Sequence, residues 1–282
     1  MDRVPLFFID DVCHQLQLDE FKQVSQLSRG WSEFGALHDE KRREFVFSCW
    51  TDGKKGTYCI KDKKNNSLRV PIASLNINFD RITSVTVDTV NLFRGQGTPL
   101  GELERDVLPK VASIVTNCRT WPGSQIPIFL KAFQNCPAFN KITFQQQGHE
   151  SRDFVTRQVE LGYVQTLHLN SRESHEWPDL EQLAKTLTTF VKSGRFYQLT
   201  YRGSFPEHVE LYALFLERAL AGELKPFSFI SMYNITDDAF HLMSALHSEF
   251  RENSMQPTWR IPNSNRRILL QRLGASFRIK VE

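Results

Sequence analysis

Gly95, Gln96 and Gly97 follow an apolar run and precede a helix-forming stretch from Gly101, a placement in which backbone N–H groups can cradle a phosphate. The run stops short of GxGxxG and of GxxxxGK[ST], and Thr98–Pro99 fits a cap and helix start, so no nucleotide site is expected. Asp10 and Asp11 are adjacent; in a helix adjacent side chains diverge by about 100°, too far to act as an acid/base pair. Their expected role is negative charge near a helix N-terminus. The eight histidines are scattered: His241 and His247 do not share a helix face, and His168, within a strand, is expected to be a packed or exposed sheet residue. No GxSxG run is present, and Cys13, Cys49, Cys59, Cys118 and Cys136 show neither a CxxC pair nor zinc-ligand spacing to histidine. These residues lead to an expectation of no enzymatic activity, no cofactor and no metal.

Composition fits a folded chain, with 40% hydrophobic and 24% charged residues. The net charge of +3 is too mild to imply a polyanion partner. One basic stretch, with Lys41, Arg42, Arg43, Lys54, Lys55 and Lys63, reads as solvated hairpin and loop charge. The competing reading is nucleic-acid binding there, with Trp50 and Tyr58 as stacking residues; nucleic acid is nevertheless not the expected partner. No basic flank with an apolar core and cleavage site opens the chain, and its apolar runs are too short to cross a bilayer. The expected setting is the cytoplasm or nucleus, without a membrane partner, with the cysteines as small core residues.

The elements that would position these side chains fall into two domains, 1–43 and 44–282. In the first, Phe8, Val12 and Leu16, then Phe21, Val24, Leu27, Trp31 and Phe34, recur in steps of three and four, the spacing of short amphipathic helices. Pro5 suits a first helical turn, Asp19 a second helix cap, and Gly30 a break before a third helix. About 40 residues make no comfortable core alone, so some of this apolar surface needs a partner within or beyond the chain. Next, FVFSCWTDGKKGTYCI alternates around Asp52 and Gly53, predicting a β-hairpin with Phe45, Phe47 and Cys49 on one face and a further strand over 68–72. Beyond residue 82, β-rich segments alternate with helical stripes, among them Leu180, Leu183, Leu187, Phe190 and Val191 after Pro178, and Phe240, Met243, Leu246 and Phe250 after a Thr236 cap. Strands centred on Leu167, Leu199 and Phe229 recur about every 30 residues, the period of a solenoid. The expected fold class is therefore α/β: a small helical module, an aromatic β-hairpin, then a curved α/β stack like a leucine-rich repeat with a mainly parallel sheet. An ordinary open α/β sheet is the competing fold, since LxxLxLxxN is missing.

The opening VPLFFIDDVCHQLQLDEFKQVSQLSRGWSEF resembles the F-box, and the chain looks most like the divergent F-box-related proteins of nematodes, which continue into an aromatic hairpin and an α/β repeat region. It departs from the F-box pattern at Val4, where Leu is usual, and at Leu27, Ser28, Arg29 and Gly30 before Trp31. The resemblance implies a substrate receptor in a Skp–cullin–F-box ubiquitin ligase. Val4, Pro5, Phe8, Val12, Leu16 and Phe21 would enter the Skp adaptor of the cullin–RING ligase, each well-buried large side chain contributing roughly 1.5–3 kcal/mol before association costs. The alternative, a stand-alone scaffold in which those residues pack the module onto the hairpin, stays open. Loops after strands are the usual recognition sites of such scaffolds, which singles out Arg172, Arg202, Tyr233 and Asn234 for an unknown protein target.

Overall fold

The computed structural model describes residues 4–16, 20–24, 26–27, 29–89, 97–122, 127–144, 149–170, 179–203, 208–233, 237–246, 251–253, 257–273 and 276–282. The chain forms two compact units, Met1–Trp121 with Lys131–Phe139, and Pro122–Leu130 with Asn140–Glu282. The helices of residues 1–43 fall inside the first.

That unit opens with α1 (Leu6–Gln15), α2 (Phe21–Val24) and α3 (Arg29–Lys41). Pro5 is the N-cap of α1 and so stands one step outside its first turn. Ile9, Cys13, Phe21 and Val24 form a small core, with Val4, Leu16, Trp31 and Phe34 packed against it. Gly30, expected to break the chain, lies inside α3 instead. A Cβ there would stand 3.2 Å from Ile9 Cδ1, so glycine serves the close approach of α1.

The hairpin of β1 (Arg43–Thr51) and β2 (Lys55–Asp62) forms as expected, with Phe47 opposite Ile60 and Cys49 opposite Tyr58. Phe45, Phe47 and Cys49 are buried together. Its turn needs Gly53, at φ 89°, and Asp52 Oδ1 accepts from the backbone N–H groups of Lys54 and Lys55. The strand expected over 68–72 is reduced to one bridge, Lys61 to Arg69, and a 3-10 turn, Ile72–Ser74. Pro71 lacks an N–H, and Asn65 and Asn76 accept from backbone N–H groups two residues on, which favours turns over a ladder. β3 (Asp80–Thr89) then pairs in parallel with β1. β4 (Thr98–Pro99) joins β2; α4 (Leu100–Glu102), a π-helical stretch (Leu103–Val107) and α5 (Leu108–Ile114) follow, and β5 (Val115–Pro122) lies beside β3.

α6 (Pro127–Phe133) leads to β6 (Phe139–Phe144). The second unit alternates α7 (His149–Glu160), β7 (Thr166–Asn170), α8 (Leu180–Lys192), β8 (Gln198–Arg202), α9 (His208–Leu220), β9 (Phe229–Tyr233) and α10 (Asp237–Ala245). The expected unit of strand plus helix is present: β6, β7, β8 and β9 are parallel neighbours, with Ile142, Leu167, Leu199 and Ile230 in register. The helices that follow them, α7, α8, α9 and α10, pack on one another in succession. There Thr156 of α7 meets Thr186 of α8 at 3.0 Å, Arg218 of α9 donates to the carbonyls of Val191 in the last turn of α8 and of its C-cap Ser193, and Tyr212 Oη donates to Phe277 O.

A mainly parallel sheet is corrected to a mixed one. After α10 come β10 (Arg251–Asn253), β11 (Thr258–Arg260), β12 (Arg267–Leu273) and β13 (Ser276–Val281), antiparallel to one another, with β13 antiparallel to β9. Among β10, β11, β12 and β13 the physical reason is connection length: the residues between successive strands are too few for the crossover of a dozen or more that parallel pairing needs.

Candidate protein-interaction surfaces

The six residues expected to meet a Skp adaptor divide three ways. Phe21 is corrected: it is fully buried, stacked on His38 at 5.7 Å with the Arg42 guanidinium 5.2 Å from its ring centre, and holds the module together from within. Val4, Val12 and Leu16 are half-buried. Pro5 and Phe8 are exposed, Phe8 at 49% against 3% for the adjacent Ile9. At about 100° per residue, Ile9 and Cys13 point inward while Phe8 lies on the flank of the apolar arc. Leu6, 59% exposed, and Leu27, 47% exposed, extend the apolar surface. Leu6 stands i, i+3 to buried Ile9, yet at the helix start the module leaves it uncovered.

A polar pair ties α1 to α3 and had no sequence signal, its partners being remote in the chain. Buried His38 Nε2 lies 2.8 Å from Asp10 Oδ1, so Asp10 is a helix–helix link and not merely terminal charge. Burial lowers the proton affinity of His38, opposed by the Asp10 hydrogen bond. Arg42 donates to Cys13 O at 3.0 Å, and burial, then the Arg81 charge, brings its pKa to about 10.

The basic stretch is largely engaged locally. Arg43 forks onto both Asp80 oxygens at 2.8 and 2.7 Å, Lys63 meets Glu44 at 2.6 Å, and Lys41 lies over Phe79. Lys54 and Lys55 are exposed at the hairpin turn. Tyr58, opposite Cys49, packs on Phe47, whereas Trp50 lies opposite Thr57, one step along the pleat and therefore on the other face. The two aromatics do not share a platform.

Of the residues expected to meet a target, Arg172 and Asn234 lie outside the described residues, as do Asp19, Gly95, Gln96, Pro178, Thr236, His247 and Phe250. Arg202 and Tyr233 are brought together at the carboxyl ends of β8 and β9. The Arg202 guanidinium carbon stands 4.5 Å from the Tyr233 ring centre, and Nη2 donates to Tyr233 Oη at 3.1 Å. Asn170 is the register neighbour of Arg202 on β7. His168 is half-buried in β7, and burial, then the Lys141 charge, lowers its pKa to about 4. Near Gly97, Thr98–Pro99 form β4, and Leu100 N–H already donates to Lys54 O at 3.1 Å. Among the described residues there is no cluster of three or more metal-binding side chains, and no helix is long and apolar enough to cross a membrane.

No protein-family model matches the chain, and no curated protein matches it. Among solved structures it is similar to the MycE methyltransferase from the mycinamycin biosynthetic pathway, in complex with Mg and SAH, with 11% identity, 99% of this chain and 92% of that chain covered, and a TM-score of 0.26. That neighbour is an enzyme, and the expectation of a chain without enzymatic activity is withdrawn. A TM-score of that size carries no argument for methyl transfer either.

Proposed function

We propose that the chain is a target receptor of a Skp–cullin–F-box ubiquitin ligase, working in the cytoplasm or nucleus. In this reading α1 docks on the Skp adaptor, and the β–α units of the second unit, stacked in the manner of a leucine-rich repeat, hold the target. The observation that carries it is the width of the apolar arc on α1: Ile9 and Cys13 fill the module's core while Leu6 and Phe8 remain exposed beside half-buried Val4, Val12 and Leu16. Covering Leu6 and Phe8 would contribute roughly 1.5–3 kcal/mol each before association costs. Recruitment then acts through effective concentration, holding a target near the ubiquitin-loaded partner.

Capture by an immobilised, purified Skp adaptor tests the reading. Wild type is expected to bind and the Leu6→Asp, Phe8→Asp double variant to lose binding at an unchanged melting temperature, because both side chains are already in solvent. Failure of the folded wild type to bind ends this proposal.

A second reading, the stand-alone scaffold, is favoured by the burial of Phe21 and by the packing of Val4 and Leu16 on the module's own core. It expects no adaptor binding and no difference between wild type and double variant.

A further inference from the structure

The two faces of the sheet in the second unit differ in chemistry. Ile142, Leu167, Leu199, Ile230 and Ile279 form one register row, and Phe144, Leu169, Tyr201, Met232 and Phe277 another; all are buried, on the face where Tyr212 and Phe240 meet Phe277. Side chains alternate along a strand, so the residues between these rows point to the opposite face. There Thr143, His168, Thr200, Ser231 and Arg278 form a polar row, with Asn170, Arg202 and Tyr233 beyond it. Trp259, Ile268 and Val281 continue the buried face, which assigns Arg260, Arg267 and Lys280 to the polar one.

The polar face is also one-signed. Lys141, Arg202, Arg260, Arg267, Arg278 and Lys280 lie on it; among the described residues of β6–β9 and β11–β13 and their paired ends, the carboxylate on it is Glu282, 2.6 Å from Lys280. Arg202, Arg260 and Arg267 are exposed, and Lys141, Arg278 and Lys280 half-exposed. The positive charge of Lys141 also helps to lower the proton affinity of His168 beside it. Two guanidinium groups lie over aromatic rings, with the guanidinium carbon of Arg278 4.6 Å from the Phe229 ring centre and that of Arg202 4.5 Å from the Tyr233 ring centre. A stacked guanidinium still presents N–H edges in the fork geometry that suits carboxylates. It also occupies the ring face on which a nucleotide base would stack.

We infer that the exposed cations of this sheet face, Arg202, Arg260 and Arg267, form the target-recognition surface and that its partner is an acidic polypeptide segment lying across β8, β9, β13, β12 and β11. The inference rests on the reading of the chain as a target receptor and names the class of target. Charge complementarity selects the occupant, and the half-exposed Thr200 hydroxyl lies among the cations as a hydrogen-bonding group, whereas Ser231 is buried.

Fluorescence anisotropy with the full chain tests it, using a labelled glutamate-rich peptide, its glutamine counterpart and an oligothymidylate of equal length. The glutamate peptide is expected to bind, to weaken as salt rises from about 50 to about 200 mM, and to bind at least about tenfold more weakly to the Arg202→Glu, Arg260→Glu variant. Lys54→Glu, Lys55→Glu at the hairpin turn should leave it unchanged. If the charge reversal lowers the melting temperature, Arg202→Gln with Arg260→Gln takes its place and should still weaken the peptide. Peptide binding that is missing in wild type, indifferent to the Arg202 and Arg260 changes, or weaker than oligothymidylate binding overturns the inference. Adaptor capture measured on the same samples separates the failures: a chain that binds the adaptor but not the peptide loses only the target assignment.

Discussion

His38 and Phe227 show what single residues contribute beyond their type. Burial holds the proton affinity of His38 below its ordinary value of 6.5, and brings His168 to about 4. The folded pKa is the lower one in each case, so the stability these groups allow is full above about 6.5 and declines as pH falls, for His168 down to about 4. The loss is at most about 1.4 kcal/mol per pH unit for each such group. Urea midpoints should therefore drop between about pH 7 and pH 5, before most carboxylates titrate, and His168→Gln should flatten the decline. A midpoint indifferent to pH in that window would contradict the burial of these rings. Phe227 sits at φ 64° and is 68% exposed, a backbone setting that a bulky residue adopts at a cost. Phe227→Asn should raise stability by about 1 kcal/mol, read as a higher melting temperature, since asparagine tolerates the left-handed region and little burial is lost.

At the scale of elements, α1 to α3 form a module whose inner and outer apolar residues should respond differently to change. Phe21→Ala removes a fully buried ring and is expected to cost about 3–5 kcal/mol. Phe8→Ser, at an exposed position, should stay within about 0.5 kcal/mol, and chemical denaturation of the two variants checks the contrast. Similar losses would mean that Phe8 is packed. α8 was legible because its apolar positions recur at the helical period, and β1 with β2 because alternation flanks Asp52 and Gly53. The segment over 68–72 misled because its composition suits a strand while Pro71 and the asparagine turns around it remove the ladder. Gly30 misled for a related reason: its role, the approach of Ile9, depends on a residue in another helix.

For the whole molecule, no disulfide joins the five cysteines, of which Cys136 is half-buried and the others buried. Burial raises the pKa of Cys13 to about 11 and of Cys49 to about 12, and pushes Cys118 and Cys136 upward as well. Thiolate is the reactive form, so a disulfide reagent should label the native protein slowly and all five thiols after denaturation, as thiol release over time would show. Rapid labelling of the native chain would place these thiols outside the core. Helix stripes, the hairpin and the recurring strand–helix unit could be read along the chain because each depends on neighbours a few residues apart. The order of β9, β13, β12 and β11, the Asp10–His38 link, the inward turn of Phe21 and the gathering of Lys141, Arg202, Arg260 and Arg278 on one sheet face came only with folding. They depend on pairing register and on contacts between distant segments, which local spacing does not encode.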